Sequence, residues 1–481
     1  MTTTARDVAT QFASVVGRDH VLAGDLATML YARDGSIQDD GDCGLVVLPA
    51  NTEEVAGCMR VAAAAGLDVV PRGSGTGLTG GAVPLAGSLV ISLSRMNRIT
   101  EVDVPNSCAW VEPGVLNLDI STAVAHLGLF YAPDPSSQQA CSIGGNVGTN
   151  AGGPHCLAYG VTNQHVLGME MVMADGEVVT LGGPAPDPPG YDLRGVVVGS
   201  EGMMGVVTRI CVRLTPEPPA IRTMLLDFPT ISDAAAVVEQ VIAAGVVPAS
   251  LEMMDRNMLR TIEPFVHADL PVDAAAALLV EVDGTPADVE AGTDAVQRVA
   301  AANNVGHVRV AKDEDERALL WKARKSAFGA CARVKPNYFL HDCVVPRSRL
   351  VEVMQAIIEI TDRENLICLN VFHAGDGNLH PIIAFDRRDA DEVERVMRAG
   401  DAIIRKCVEV GGTLSGEHGI GLEKRDYMPL VFTEGDLEAQ ACMRRAFDPD
   451  ERLNPHKVLP LGARCGEAML GGREPPEGTW I

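Results

Sequence analysis

Five glycines fall within the ten residues Arg72-Gly73-Ser74-Gly75-Thr76-Gly77-Leu78-Thr79-Gly80-Gly81, directly after the strand-like run Leu67-Asp68-Val69-Val70-Pro71. Without Cβ atoms in the way, such a loop can turn several backbone N–H groups inward as a concave nest, which is what holding a pyrophosphate requires. The residues before it supply a scaffold. Gly44-Leu45-Val46-Val47-Leu48-Pro49 reads as a strand, and Thr52 is expected to cap a helix that runs through Val55, Met59 and Ala62. The opening is therefore β-α-β. The loop has neither the Rossmann spacing nor the Gly-Lys-Ser/Thr ending of a P-loop, and a plain turn is the alternative.

A second cluster lies some sixty residues on, where Asp134-Pro135-Ser136-Ser137 leads into Cys141-Ser142-Ile143-Gly144-Gly145-Asn146-Val147-Gly148-Thr149-Asn150-Ala151-Gly152-Gly153. Two Gly-rich loops suggest one extended phosphate-containing ligand cradled from both sides. Val166–Val172 and Glu177–Leu181 read as a hairpin turning at Asp175-Gly176, and Gly199–Gly205 is a third small-residue loop. The prolines of Leu214–Pro219 mark a boundary. Beyond it, strands 223–228, 249–254, 277–282 and 307–311 alternate with helices 232–244 and 286–303, the pattern of an α+β unit with an antiparallel sheet. A helical preamble at 1–40 and a mostly helical part from 414 complete the chain, with only the last fifteen residues set apart from the fold.

Val371-Phe372-His373-Ala374-Gly375-Asp376-Gly377-Asn378-Leu379-His380 brings two imidazoles back together across a tight turn. Two such imidazoles can share a divalent metal, and Ser415-Gly416-Glu417-His418-Gly419 offers a carboxylate as third ligand with another imidazole beside it. The plainer alternative makes one histidine a core residue and the other a turn donor.

The 481 residues allow two to four domains. With 39 Lys+Arg against 64 Asp+Glu, the net charge of −25 disfavours nucleic acid and anionic lipid as partners and demands local cations for any anionic ligand. The 12 cysteines show no Cys-x-x-Cys spacing and read as reduced, mostly buried residues of a cytoplasmic protein. No signal peptide and no transmembrane run is visible, so membrane association is expected to be peripheral, at the inner face.

Five blocks, Pro71–Gly77, Ser142–Asn146, Gly199–Gly202, Phe372–Asn378 and Ser415–Gly419, stand in an order that resembles the FAD-linked 2-hydroxy acid dehydrogenases and oxidases of the vanillyl-alcohol oxidase (PCMH) fold, the group containing glycolate oxidase flavoprotein subunits. The resemblance implies an α+β chain in three parts: a two-part FAD-binding domain at 1–219, a cap or substrate domain at 220–413, and a helical C-terminal segment at 414–481. It implies that Arg72, Gly73, Ser74, Gly75, Thr76, Gly77, Thr79 and Gly80 hold the FAD pyrophosphate. Asp134, Ser137, Cys141, Ser142, Gly144, Gly145, Asn150 and Gly152 would follow the ribityl chain and ring. Gly160, Glu201, Gly205 and Val206 would complete the adenine and ribose side, with Asn454 returning to the flavin. His373, His380 and Glu417 resemble the family's ligands for a divalent metal (zinc, manganese or iron), His418 its catalytic base, and Arg324 of Trp321-Lys322-Ala323-Arg324 its carboxylate-binding arginine. His155 is expected to support the site rather than carry flavin.

The implied reaction oxidises a short 2-hydroxy acid, glycolate or D-lactate. Relatives that oxidise long dicarboxylates carry a lysine shortly before the Asp-x-x-x-Pro element, where this chain has Leu340-His341 before Asp342. Implied partners are a related FAD-domain subunit and an iron-sulfur subunit. A stand-alone D-lactate or D-2-hydroxyglutarate dehydrogenase and a non-catalytic FAD-holding assembly subunit are the alternatives.

Overall fold

The computed structural model describes residues 3–38, 40–185 and 189–460. The expectation for the last fifteen residues, and Cys465 with it, lies outside them. Three main sheets organise the chain. The first has the order Val21–Ala23, Cys43–Val47, Ser88–Ser92, Val69–Arg72. Cys43–Val47 and Val69–Arg72 both lie parallel to Ser88–Ser92, so the opening β-α-β is realised with a third strand inserted between its two strands. The helix Thr52–Ala65 covers this sheet, capped by Asn51, whose side chain accepts the Glu54 N–H. Thr52, the expected cap, is instead the first helical residue, and its hydroxyl donates to Glu170.

The second sheet is antiparallel, in the order Ile99–Asp103, Cys108–Val111, Val206–Arg213, Val166–Val172, Val178–Gly182. The second Gly-rich stretch is not a loop throughout. Ile143–Thr149 is a short helix, capped by Ser142, whose Oγ accepts the Gly145 N–H. Buried Ile143 and Val147 tie it to the sheet core, and this burial outweighs the low helix propensity of its glycines.

The third sheet begins with Ala220–Phe228 and is antiparallel, running from His307–Val310 through Ala276–Gly284 and Ser250–Asp255 to Ile367–His373 and the hairpin after it. Helices cover both faces. Leu251 and Met253 enter one core together with Phe372, whereas Met254, Leu369 and Val371 enter the other. Side chains alternate along a strand, so Glu252 and His373 fall on the second face, towards the helix Glu314–Lys325. From 414 the chain is less helical than expected: Ser415–Gly421 is irregular, and Glu434–Phe447 is the one long helix among the described residues.

Ten cysteines are free thiols, most of them buried. Cys442 departs from the reduced reading, being disulfide-bonded. No helix among the described residues is long and apolar enough to cross a membrane.

Candidate active site

A cavity of about 410 Å³ is walled by the first Gly-rich loop, the helix Ile143–Thr149, the Ser200–Gly205 turn and Glu417-His418. The loop lies so tight on its neighbour that a Cβ at Gly73 would stand 2.3 Å from Ser142 Oγ. A bare backbone facing a helix N-terminus suits a phosphate-bearing cofactor. From the expected cofactor set, the wall contains Arg72, Gly73, Ser74, Gly75, Thr76, Gly77, Thr79, Ser137, Cys141, Ser142, Gly144, Gly145, Glu201 and Gly205. Gly80, Asp134, Asn150, Gly152, Gly160, Val206 and Asn454 lie outside it. Asn454 donates to the carbonyls of Gly81 and Glu201, pinning two loops together. Asn150 caps the short helix in a left-handed conformation. Glu201, assigned to the adenine side, spends its carboxylate on the N–H groups of Ile420 and Gly421.

At the other end, the hairpin and the Ser415–Gly421 turn converge. The ligand atoms of His373, His380 and Glu417 lie within 4.8 Å of one another, and all three residues are buried. Glu417 Oε1 is 3.4 Å from both His373 Nε2 and His380 Nε2. Neither ring nitrogen of His380 has a hydrogen-bond partner. A buried polar atom of this kind costs roughly 1–3 kcal/mol unless something binds it, so the donor set fits a dication, with water or substrate completing the coordination.

Sequence reasoning missed two residues that hold this set. Glu252 stands directly opposite His373 in the strand register, and Oε1 meets His373 Nδ1 at 2.7 Å, fixing the ring with Nε2 towards Glu417. Burial opposes a charge on His373, but Glu252 outweighs it and holds the ring well above the usual imidazole range. Asp342 gathers the following turn: it accepts the Ser415 hydroxyl at 2.6 Å, the backbone N–H groups of Gly416, Glu417 and His418, and buried Lys424 Nζ at 3.3 Å. Asp342, His380 and His418 form a second possible ligand trio. Asp342 is already crowded with donors, so Glu417 is the carboxylate with capacity to spare.

His418 stacks on His380 with ring centroids 5.1 Å apart. Burial pushes it down to about 4, with Asp342 opposing. It is therefore neutral at physiological pH and free to accept a proton.

Arg324 is not in the cavity wall. It is 1% exposed, and its Nε donates to Glu252 Oε2 at 2.6 Å, behind the ligand set. Lys325 lies in the wall. His341 is fully buried beside Phe339, with neither ring nitrogen partnered. His155 stands between the N-terminal half and the large sheet, with Nδ1 2.9 Å from Asp134 and Nε2 3.4 Å from Glu281. Burial opposes its charge, but these carboxylates push it up to about 10.

A Gly-lined phosphate cradle opening onto a buried imidazole and carboxylate cluster defines a cofactor-dependent oxidoreductase class. Residues 44–182 match the family described as "FAD binding domain" and residues 217–458 the family described as "FAD linked oxidases, C-terminal domain". The chain belongs to the FAD-linked oxidases. It is 45% identical over 423 residues to glycolate oxidase subunit GlcD of Escherichia coli (strain K12), covering 88% of this chain and 85% of the relative. It is 39% identical over 460 residues to GlcD of Bacillus subtilis, covering 95% and 98%. Among solved structures, p-cresol methylhydroxylase with substrate bound shares the fold at TM-score 0.81 and 17% identity, covering 96% and 98% of the two chains. The chain is an α+β FAD-linked oxidoreductase of the PCMH type.

Proposed function

We propose that this chain oxidises a short 2-hydroxy acid, glycolate or D-lactate, to the 2-oxo acid, as the flavin-bearing subunit of an assembly with a related FAD-domain subunit and an iron-sulfur subunit. The observation that carries the chemistry is the buried cluster of His373, His380 and Glu417, with His418 stacked on it and the Gly-rich cradle in the same cavity. When bound, FAD supplies the acceptor for the hydride leaving C2, and a zinc, manganese or iron dication on His373, His380 and Glu417 supplies the Lewis acid that acidifies the hydroxyl. His418 takes the hydroxyl proton at Nε2, the ring nitrogen that lies 3.6 Å from Glu417 Oε1. Glu252 keeps His373 turned to its task, and Asp342 fixes the backbone from which Glu417 and His418 diverge.

Anaerobic mixing tests the reading. The flavin of the purified protein should bleach with glycolate or D-lactate, stay oxidised after exhaustive chelation, and bleach again once zinc, manganese or iron is restored. A panel of C2 to C5 hydroxy acids separates this reading from a 2-hydroxyglutarate dehydrogenase. No bleaching with any of them sinks it in favour of a scaffold. His418→Asn should lower kcat by roughly 10²- to 10⁴-fold while flavin and metal contents, read by absorbance and elemental analysis, stay at the parent level.

A further inference from the structure

His418 lies on an irregular stretch, so its place relative to the cofactor cavity depends on what holds Ser415–Gly421. Asp342, beside the third sheet, takes the N–H groups of Gly416, Glu417 and His418 and fixes the turn as far as the base. The part that follows is held from the other side. Glu201 precedes the strand Val206–Arg213 of the second sheet, and its Oε1 accepts from the Ile420 N–H at 2.6 Å and the Gly421 N–H at 3.1 Å. Its Oε2 accepts from the Gly421 N–H at 3.0 Å. Thr79 of the first Gly-rich loop donates its hydroxyl to the His418 carbonyl at 3.3 Å and accepts the Leu422 and Glu423 N–H groups on its own carbonyl. Thr79 and Glu201 both line the cofactor cavity.

The contact is close enough to dictate residue types on both sides. A Cβ at Gly419 would stand 2.7 Å from Glu201 Oε1, and one at Gly421 would meet the Thr79 carbonyl oxygen. Glu201 itself has a φ of +51°, between Gly199 at +86° and Gly202 at +76°. Glycine would take this backbone conformation without steric cost, whereas a glutamate is strained in it. The strain persists because the backbone is pinned at both ends: the Glu201 N–H donates to the Gly148 carbonyl at 2.8 Å, and its carbonyl accepts from Asn454 Nδ2 at 2.7 Å. A long side chain kept at a position that suits glycine, 8% exposed and committed to two backbone N–H groups, points to the side chain as the reason.

We infer that Glu201 is the positioning residue that sets the base turn against the cofactor cavity, acting through His418. The base is thus clamped between two carboxylates, Asp342 from the third sheet and Glu201 from the second. The inference rests on the 2-hydroxy acid reading, in which His418 takes the substrate's proton.

A double-mutant cycle on the holoenzyme tests it, with Glu201→Ala, His418→Asn and the pair together. Glu201→Ala should lower kcat for glycolate by roughly 10²-fold, the order of loss that a misplaced catalytic group brings, with flavin content at the parent level. Glu201→Gln, which keeps an acceptor oxygen at the same reach, should recover much of that loss and carries the same cycle if the alanine variant does not fold. The double variant should be no slower than His418→Asn alone, because a residue that acts through the base has nothing left to act on. Amide hydrogen exchange in the peptide spanning Ile420 and Gly421 should quicken by roughly 10- to 100-fold while the strand Ser250–Asp255 keeps its protection. Losses that multiply in the double variant would overturn the inference, as would unchanged exchange at Ile420 and Gly421. Flavin loss from Glu201→Ala with that exchange unchanged would make the carboxylate a cofactor contact instead. If no hydroxy acid bleaches the parent protein, the hydroxy acid reading has failed, and the exchange measurement alone decides whether Glu201 holds the turn.

Discussion

Glu417→Gln is expected to yield a folded, flavin-bearing protein with almost no turnover. The amide keeps the volume packed on Gly152 and removes the anion shared by His373 and His380. Two neutral imidazoles and an amide hold a dication far more weakly than the same imidazoles with a carboxylate. The hydroxyl then keeps its proton, and what is lost is the charge stabilisation a Lewis acid gives to the developing alkoxide. That is worth several kcal/mol, so kcat/KM should fall by roughly 10³- to 10⁴-fold, equivalent to about 4–5 kcal/mol. Elemental analysis should show the metal gone, absorbance should show the flavin in place, and anaerobic glycolate should leave it oxidised. Turnover within tenfold of the parent, with no metal detectable, would falsify the ligand assignment.

The parts of this site that were legible in the sequence are those that local rules specify. Glycine clusters after strands announce a bare backbone, and His373 and His380 at the two ends of an eight-residue hairpin are brought together by covalent connection. Glu417 and His418 were legible because adjacent small residues allow both side chains to diverge from one turn. What was not legible depends on register and on burial between distant segments. Glu252 is an unremarkable residue in an apolar strand until the pairing of Ser250–Asp255 with Ile367–His373 sets it opposite His373. Arg324 and Lys325 are equivalent in composition, yet one helical step turns the first to Glu252 and the second to the cavity. The capping of Ile143–Thr149 likewise needed the sheet core beneath it, because its glycines alone argue for a loop.

Asp342→Asn tests whether the turn that carries Glu417 and His418 is held by one buried charge. Asp342 is fully buried and faces Lys424, also fully buried, at 3.3 Å. Burial opposes its ionisation, but Lys424 dominates and keeps it well below the usual carboxylate range. Neutralising the aspartate leaves the ammonium unpaired in the interior, which costs about 3–5 kcal/mol of stability, read as a shift in the denaturant midpoint. The amide nitrogen also cannot accept, so some of the donors from Ser415 to His418 lose their partner. Activity should therefore fall together with stability. The double variant Asp342→Asn/Lys424→Met separates the two effects, because it removes the stranded charge while leaving the turn without its anion. Stability should return towards the parent value and kcat should not, since His418 is then no longer fixed beside Glu417. Recovery of both would show that the pair serves the fold alone, and that another contact positions the base.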